Sequence, residues 1–276
     1  MRTAADNAER TPVIEVEGLH VRYGSHDILR DVNLTVYQGE ILVIMGGSGS
    51  GKSTLLRHLL GLNQPLGGSI KLLGQDITRL KSQELYELRR KIGVSFQGGA
   101  LFNSMTVGEN VRLPLREHTR LDENTVRIMS RLKLEVVDLA HAEDLMPAQL
   151  SGGMVKRAAL ARAIVMDPRL LFFDEPSAGL DPVVSAELDE LILTLRTAMH
   201  MTIVVVTHEL DSAFKIADRI TFLDRGRILM SGTVDQVRAA DDPRIQNLIN
   251  RRPEARVRDP DEYLRRLTGR EPRPSA

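Results

Sequence analysis

Apolar residues first recur along this chain at every second position. VIEVEGLHV from Val13 and LRDVNLTV from Leu29 alternate as half-buried strands do, and predict an antiparallel, β-rich opening. A different pattern follows. ILVIM from Ile41, LLFFD from Leu170 and TIVVVTH from Thr202 are short continuous apolar runs, β-branched or aromatic, each leading into a loop and then a helical pattern. Such runs belong to parallel strands buried on both faces, so the core is expected to be α/β. Between Gln97 and Asp167 the strand signals stop and helical periods such as ENTVRIMSRLKL from Glu123 replace them, which predicts an inserted helical lobe. After Leu229 the pattern predicts short helices, and from Arg251 to Ala276 an Arg- and Pro-rich tail.

Composition narrows the class. With 276 residues, 42% of them hydrophobic, the chain can bury the core of one large domain or of a domain with a sub-lobe. Lys plus Arg (37) balances Asp plus Glu (37), so no global field steers the chain to nucleic acid or anionic lipid, and no nucleic-acid partner is expected. The absence of cysteine excludes a disulfide framework or a thiolate metal site and fits a reducing compartment. The opening MRTAADNAERTP lacks the apolar core of a signal peptide, and the longest apolar runs fall far short of a membrane span. A soluble, cytoplasmic chain is the expectation.

Candidate chemistry begins at Gly46, Gly47, Ser48, Gly49, Ser50, Gly51, Lys52 and Ser53, with Thr54 next. This G-x-x-x-x-G-K-S string lies between a strand and a helical pattern, as a phosphate-binding P-loop requires. Glycines let backbone N–H groups face phosphate oxygens, and the helix N-terminus adds partial positive charge. Lys52 then reaches the β- and γ-phosphates while the Ser53 hydroxyl ligates Mg²⁺. LLFFDE sets Asp174 and Glu175 at the carboxyl end of a buried strand, where open α/β sheets hold ligands. Asp174 is expected to hold Mg²⁺ through its water shell. Glu175 is expected to act as general base on the attacking water. His208 ends a third apolar strand, within reach of a γ-phosphate. LSGGMVKRAALARAI from Leu150 reads as a Ser-Gly-Gly turn opening an amphipathic helix, a second anion site that one ATP does not need.

The order P-loop, Gln97 loop, LSGG helix, FFDEP, SAGLDP and THE resembles that of ATP-binding cassette proteins, over nearly the whole chain to about Val237. The resemblance implies a RecA-like P-loop core with an antiparallel β-subdomain and an inserted helical subdomain at about 98–167. It sets the cassette at 13–237 and leaves 238–276 as a C-terminal extension. It implies a homodimer that hydrolyses ATP, with Ser151, Gly152 and Gly153 of one copy closing on the ATP of the other. It further implies Tyr23 stacking on adenine, Gln97 contacting Mg²⁺ and sensing a transport partner, Asp181 linking the two sites, and His208 as the γ-phosphate switch. Met154 stands where the family usually has Gln, but the Ser hydroxyl and Gly N–H donors remain.

FQGGALFNSMTVGENVRLPLRE from Phe96, together with LSGGM, looks like the ATPase of Mla-type lipid transporters, with Asn103 and Met105 as mild departures. That likeness implies phospholipid transport with a YrbE-like (MlaE-like) permease and an MCE protein, a small STAS-type regulatory subunit, and a peripheral position on the cytoplasmic face of the inner membrane. Ala100, Leu101, Phe102 and Met105 form the expected exposed apolar cluster for the permease. An importer of polar solutes, a soluble cassette acting on ribosomes or DNA, and a regulator without turnover are the alternatives. In the tail, Asp259 and Pro260 read as a helix start, with Tyr263, Leu264 and Leu267 on one docking face.

Overall fold

A computed structural model describes residues 10–252. The tail helix expected around Tyr263 lies outside the described residues. In chain order the elements are β1 (Pro12–Tyr23), β2 (His26–Tyr37), β3 (Ile41–Met45), α1 (Lys52–Leu59), β4 (Gly67–Leu72), β5 (Gln75–Asp76) and α2 (Ser82–Arg89). They continue with β6 (Ile92–Ser95), α3 (Val107–His118), α4 (Glu123–Val136), α5 (Gly152–Ile164), β7 (Leu170–Asp174), α6 (Pro182–Met199) and β8 (Thr202–Val206). The last are α7 (Leu210–Ile216), β9 (Arg219–Asp224), β10 (Arg227–Thr233), α8 (Val234–Arg238) and α9 (Pro243–Ile249). Of the described residues, those up to Ala239 belong to one compact unit and those from Ala240 to another; the second contains α9, whose first turn is capped by Asp242.

Two sheets organise the first unit. The smaller, β2-β1-β4-β5, is antiparallel, as the alternation in its first two strands predicts. Ile14, Val16, Leu19 and Val21 of β1 are buried, and register shifts along β1 and β2 bend the ribbon. The larger sheet runs β10-β9-β3-β8-β7-β6, with β9, β3, β8, β7 and β6 mutually parallel and β10 antiparallel at one edge. Every residue of β3 and β8 is buried, which explains why their sequences, Thr202 apart, are apolar instead of alternating. The three continuous apolar runs are neighbours at the centre of this sheet, so their loops open on one edge.

The helical lobe is α3, α4 and α5, packed on one another. Thr106 and Glu109 start α3 with a reciprocal capping box, the Thr106 N–H donating to Glu109 Oε2 at 2.7 Å. Asp122 caps α4 in the same position.

Two expectations need correction. The helix after LSGG is not amphipathic: the consecutive residues Ala158, Ala159, Leu160 and Ala161 are all buried, and four successive positions point to all sides of a helix. α5 is a central helix packed against α3 and α4 of the lobe and against strand β6. The short helices expected after Leu229 begin only at Val234, because β10 runs on through Thr233, paired with β9. Among the described residues no helix is long and apolar enough to cross a membrane.

Candidate active site

The phosphate loop leaves the end of β3 and enters α1. Gly51 stands at the N-cap with φ 108°, a conformation closed to most side chains, and no side chain caps the first turn. The N–H groups at the start of α1 are therefore free of a side-chain cap, as an anion site needs. Lys52 folds back over the loop, Nζ donating to the Gly46 carbonyl at 2.8 Å and the Gly47 carbonyl at 3.0 Å. Burial pushes its pKa below the ordinary lysine value, and the charges of Glu175 and Asp174 oppose that shift. Ser50 places a buried hydroxyl in the same loop with no partner among the described residues.

Asp174 ends β7 next to β8, and Glu175 is the residue after it. Desolvation raises the Asp174 carboxyl above its usual range, the Glu175 charge adds to this, and Arg57, Lys156 and Lys52 counter it. Glu175 has φ 48°, in the left-handed region that non-glycine residues rarely occupy and that gathers at working sites. Its N–H donates to the Val206 carbonyl at 2.8 Å, extending the sheet by one residue. Its carboxylate accepts from Thr207 Oγ1 at 3.1 Å and from the His208 N–H at 3.3 Å, and lies 2.9 Å from His208 Nδ1. The Glu175 carboxylate is thus oriented by residues at the end of β8.

Gln97 follows β6. Its carbonyl accepts from Lys156 Nζ, which also reaches the Glu175 carbonyl at 3.2 Å. The phosphate loop, Asp174, Glu175, His208 and the Gln97 loop therefore share the carboxyl edge of the large sheet.

Other candidates stand elsewhere in the chain. The Ser151 hydroxyl accepts from the Met154 N–H at 3.3 Å, capping α5 itself. The turn packs on the start of α6: a Cβ on Gly153 would lie 2.7 Å from Val184 Cγ1, so glycine is required there by close approach. Asp181 caps α6, accepting from the Val183 and Val184 N–H groups at 3.0 and 3.1 Å. Among the described residues no hydrogen bond or ion pair joins Ser151, Gly152, Gly153 or Asp181 to the phosphate loop. Tyr23 is 46% exposed, and its hydroxyl accepts from Asn63 Nδ2 at 3.0 Å.

Thr207 and Lys156 were not singled out from the sequence, although each touches Glu175. Asn110 was missed too. This fully buried amide accepts from the Phe102 N–H at 2.7 Å and donates to the carbonyls of Phe102, Met105 and Thr106, shaping the loop after Gln97. Within the apolar cluster predicted there, Ala100 and Phe102 are exposed, whereas Leu101 and Met105 are half-buried.

Comparison with known proteins converges with this geometry. The family profile described as ABC transporter matches residues 29–178. The chain belongs to the ABC transporter family. It is an ATP-binding, ATP-hydrolysing cassette. It is 42% identical to the intermembrane phospholipid transport system ATP-binding protein MlaF of Haemophilus influenzae, over 89% of this chain and 93% of that protein. It is 43% identical to the probable ribonucleotide transport ATP-binding protein mkl of Mycobacterium tuberculosis, over 87% of this chain and 67% of that protein. In structure the cassette is similar to the dimeric ATP-binding cassette MJ0796 bound to ADP and Pi, with TM-score 0.74 and 31% identity over 80% of this chain and 98% of that one.

The oxygen donors at the sheet edge fit a magnesium ion. Asp174 is a carboxylate whose charge is disfavoured where it stands, which a divalent cation would relieve, and Ser53 is an exposed hydroxyl on the first turn of α1. Among the described residues there is no cluster of three or more His, Cys, Asp or Glu able to cage a metal. Few protein ligands suit Mg²⁺, which keeps its waters and takes much of its coordination from phosphates.

Proposed function

We propose that this cassette is the ATP-hydrolysing subunit of a phospholipid transporter, working as a homodimer on the cytoplasmic face of the inner membrane. The observation that carries the reading is the meeting of Lys52, Asp174, Glu175 and His208 at one sheet edge, while the self-capped Ser151 turn has no bond to that edge among the described residues. A second copy would bring Ser151, Gly152 and Gly153 to the γ-phosphate, and Asp181 would link the two composite sites. The cassette spans 13–237, with its helical subdomain at about 98–167, and 238–276 is an extension.

Gly46 to Thr54 cradle the phosphates, with Lys52 on the β- and γ-phosphates and Tyr23 on adenine. Ser53, Gln97 and Asp174 would hold Mg²⁺, which when bound neutralises charge on the transferring phosphoryl group. Glu175 takes the proton of the attacking water. Its carboxylate is aimed by Thr207 and His208, so the acceptor is in place before water enters. His208 also serves as the sensor of the γ-phosphate.

The likeness to MlaF and the text of the Gln97 loop support a YrbE-like permease, an MCE protein and a STAS-type regulatory subunit as partners. The mycobacterial relative's name supports a second reading, transport of a polar solute. Purifying the chain from membranes and identifying bound subunits and lipids separates the two. A permease with phospholipid and an MCE protein supports the first reading; a permease with a solute-binding protein and no lipid overturns it. In parallel, Glu175→Gln should keep ATP binding and lose about 10²–10⁴-fold in turnover, the ordinary contribution of a general base.

A further inference from the structure

Lys156 is a cation inside the protein, only 8% exposed, on a helix whose other buried residues are Ala158, Ala159, Leu160, Ala161 and Ile164. Desolvation lowers its pKa, while the neighbouring charges of Asp174 and Glu175 favour its charged form. A buried lysine is costly unless its donors are used, and both resolved bonds go to backbone carbonyls at the working edge. One is the carbonyl of Gln97, the other that of Glu175 at 3.2 Å. The Glu175 carbonyl also accepts from the Ala178 N–H at 3.3 Å, so the peptide after this left-handed residue is held from two directions. The Gln97 loop is held against the same helix further on. Arg162 donates to the carbonyls of Gly99 and Ala100 at 2.8 and 2.7 Å, and a Cβ on Gly99 would lie 2.9 Å from Val155.

The geometry points to Lys156 as a positioning residue that ties the loop after β6 to the backbone of Glu175, so that a displacement of the Gln97 loop re-aims the Glu175 carboxylate and sets the rate of ATP hydrolysis. One ammonium group bonds both loops, and helix α5 is the rigid element that carries it. No other side chain among the described residues bonds to both Gln97 and Glu175. A loop pushed by a partner on its exposed side, where Phe102 is 51% exposed, therefore pulls directly on the peptide that fixes the base. The inference rests on the reading of Glu175 as general base.

The test uses the full chain with Lys156→Met, which keeps length and loses the donors, and Lys156→Arg, which keeps charge and donors. The expected result is a fall in kcat of about tenfold or more for Lys156→Met, from the loss of charged hydrogen bonds, with KM for ATP and nucleotide affinity within about twofold. Lys156→Arg should recover most of the loss. Because the chain has no tryptophan, Phe102→Trp supplies a single fluorescent probe of the loop. ATP should shift its emission when Lys156 is present and fail to do so with Lys156→Met. Unchanged kcat in Lys156→Met, a rise in KM alone, or an ATP-induced shift that persists without Lys156 would overturn the tie. If Lys156→Met does not fold, Lys156→Gln, with a shorter donor, is judged by the same readouts. Glu175→Gln run alongside keeps the two ideas apart. Should it keep more than about a tenth of wild-type turnover, the reading of Glu175 fails; should it lose about 10²-fold or more while Lys156→Met retains wild-type kcat, only the tie fails.

Discussion

The cassette contains two glycine-rich turns at helix starts, and they are built differently. At the phosphate loop the N-cap is Gly51 in a left-handed conformation, no side chain caps the turn, and Lys52 curls over it. At the Ser-Gly-Gly turn the Ser151 hydroxyl already accepts from its own helix, the chain is extended at the cap, and Gly153 is pressed against Val184. The first turn leaves its donors open to a ligand in one chain. The second satisfies part of its own need, in keeping with the proposal that a neighbouring copy presents it. A helix N-terminus is thus only the raw material of an anion site; what surrounds the cap decides whether it acts alone.

The largest expected difference between the turns is in nucleotide binding. Lys52→Ala should weaken ATP affinity about 10- to 100-fold, the worth of a charge-assisted hydrogen bond to phosphate, whereas Ser151→Ala should leave the affinity of the isolated chain unchanged. Titration with a fluorescent ATP analogue measures both, and equal losses would erase the distinction. Gly153→Ala should lower turnover by about tenfold, because the new methyl forces Val184 or the turn to move, while affinity at the phosphate loop stays the same. Steady-state kinetics beside the titration separates these effects.

Mixing Lys52→Ala with Ser151→Ala sharpens the comparison further. Random pairing makes about half of the dimers mixed, each with one intact composite site, so about a quarter of wild-type turnover should return. No recovery, with mixed dimers demonstrated by mass spectrometry, would argue that each chain uses its own turn. The smallest effect concerns stability. Ser151→Ala removes a helix cap and should cost about 1 kcal/mol, a drop of roughly 2–4 °C in Tm, whereas Ser53→Ala, an exposed hydroxyl that caps nothing, should not shift Tm.

How far the sequence reveals this molecule depends on whether the signal is local. The continuous runs ILVIM, LLFFD and TIVVV announced the central strands, because burial on both faces leaves no alternation of apolar with polar positions. The phosphate loop was equally plain, since its glycines, lysine and serine act within one turn of chain. The strands flanking those central three were not legible. IGVS of β6 has four residues and includes Gly93, where a Cβ would lie 2.4 Å from the Ala163 carbonyl; that demand comes from a distant helix, not from strand periodicity. RITFLD of β9 begins with Arg219, bonded to Glu40 at 3.0 Å, so its polar ends mask a buried strand.

By itself the sequence determined the chemistry that short spacings encode: a P-loop before a helix, paired acids at a strand end, a Ser-Gly-Gly turn, and an α/β core with a helical insertion. Only the tertiary structure decided that α5 is a central helix whose lysine bonds the carbonyls of Gln97 and Glu175, residues 59 and 19 positions away. It also decided that Thr207 and His208 aim the Glu175 carboxylate, 32 and 33 residues apart in sequence. The physical reason is that hydrophobic periodicity reports how a segment lies against its nearest layer, whereas a hydrogen bond between side chain and distant backbone exists only after the sheet has brought its strand ends together.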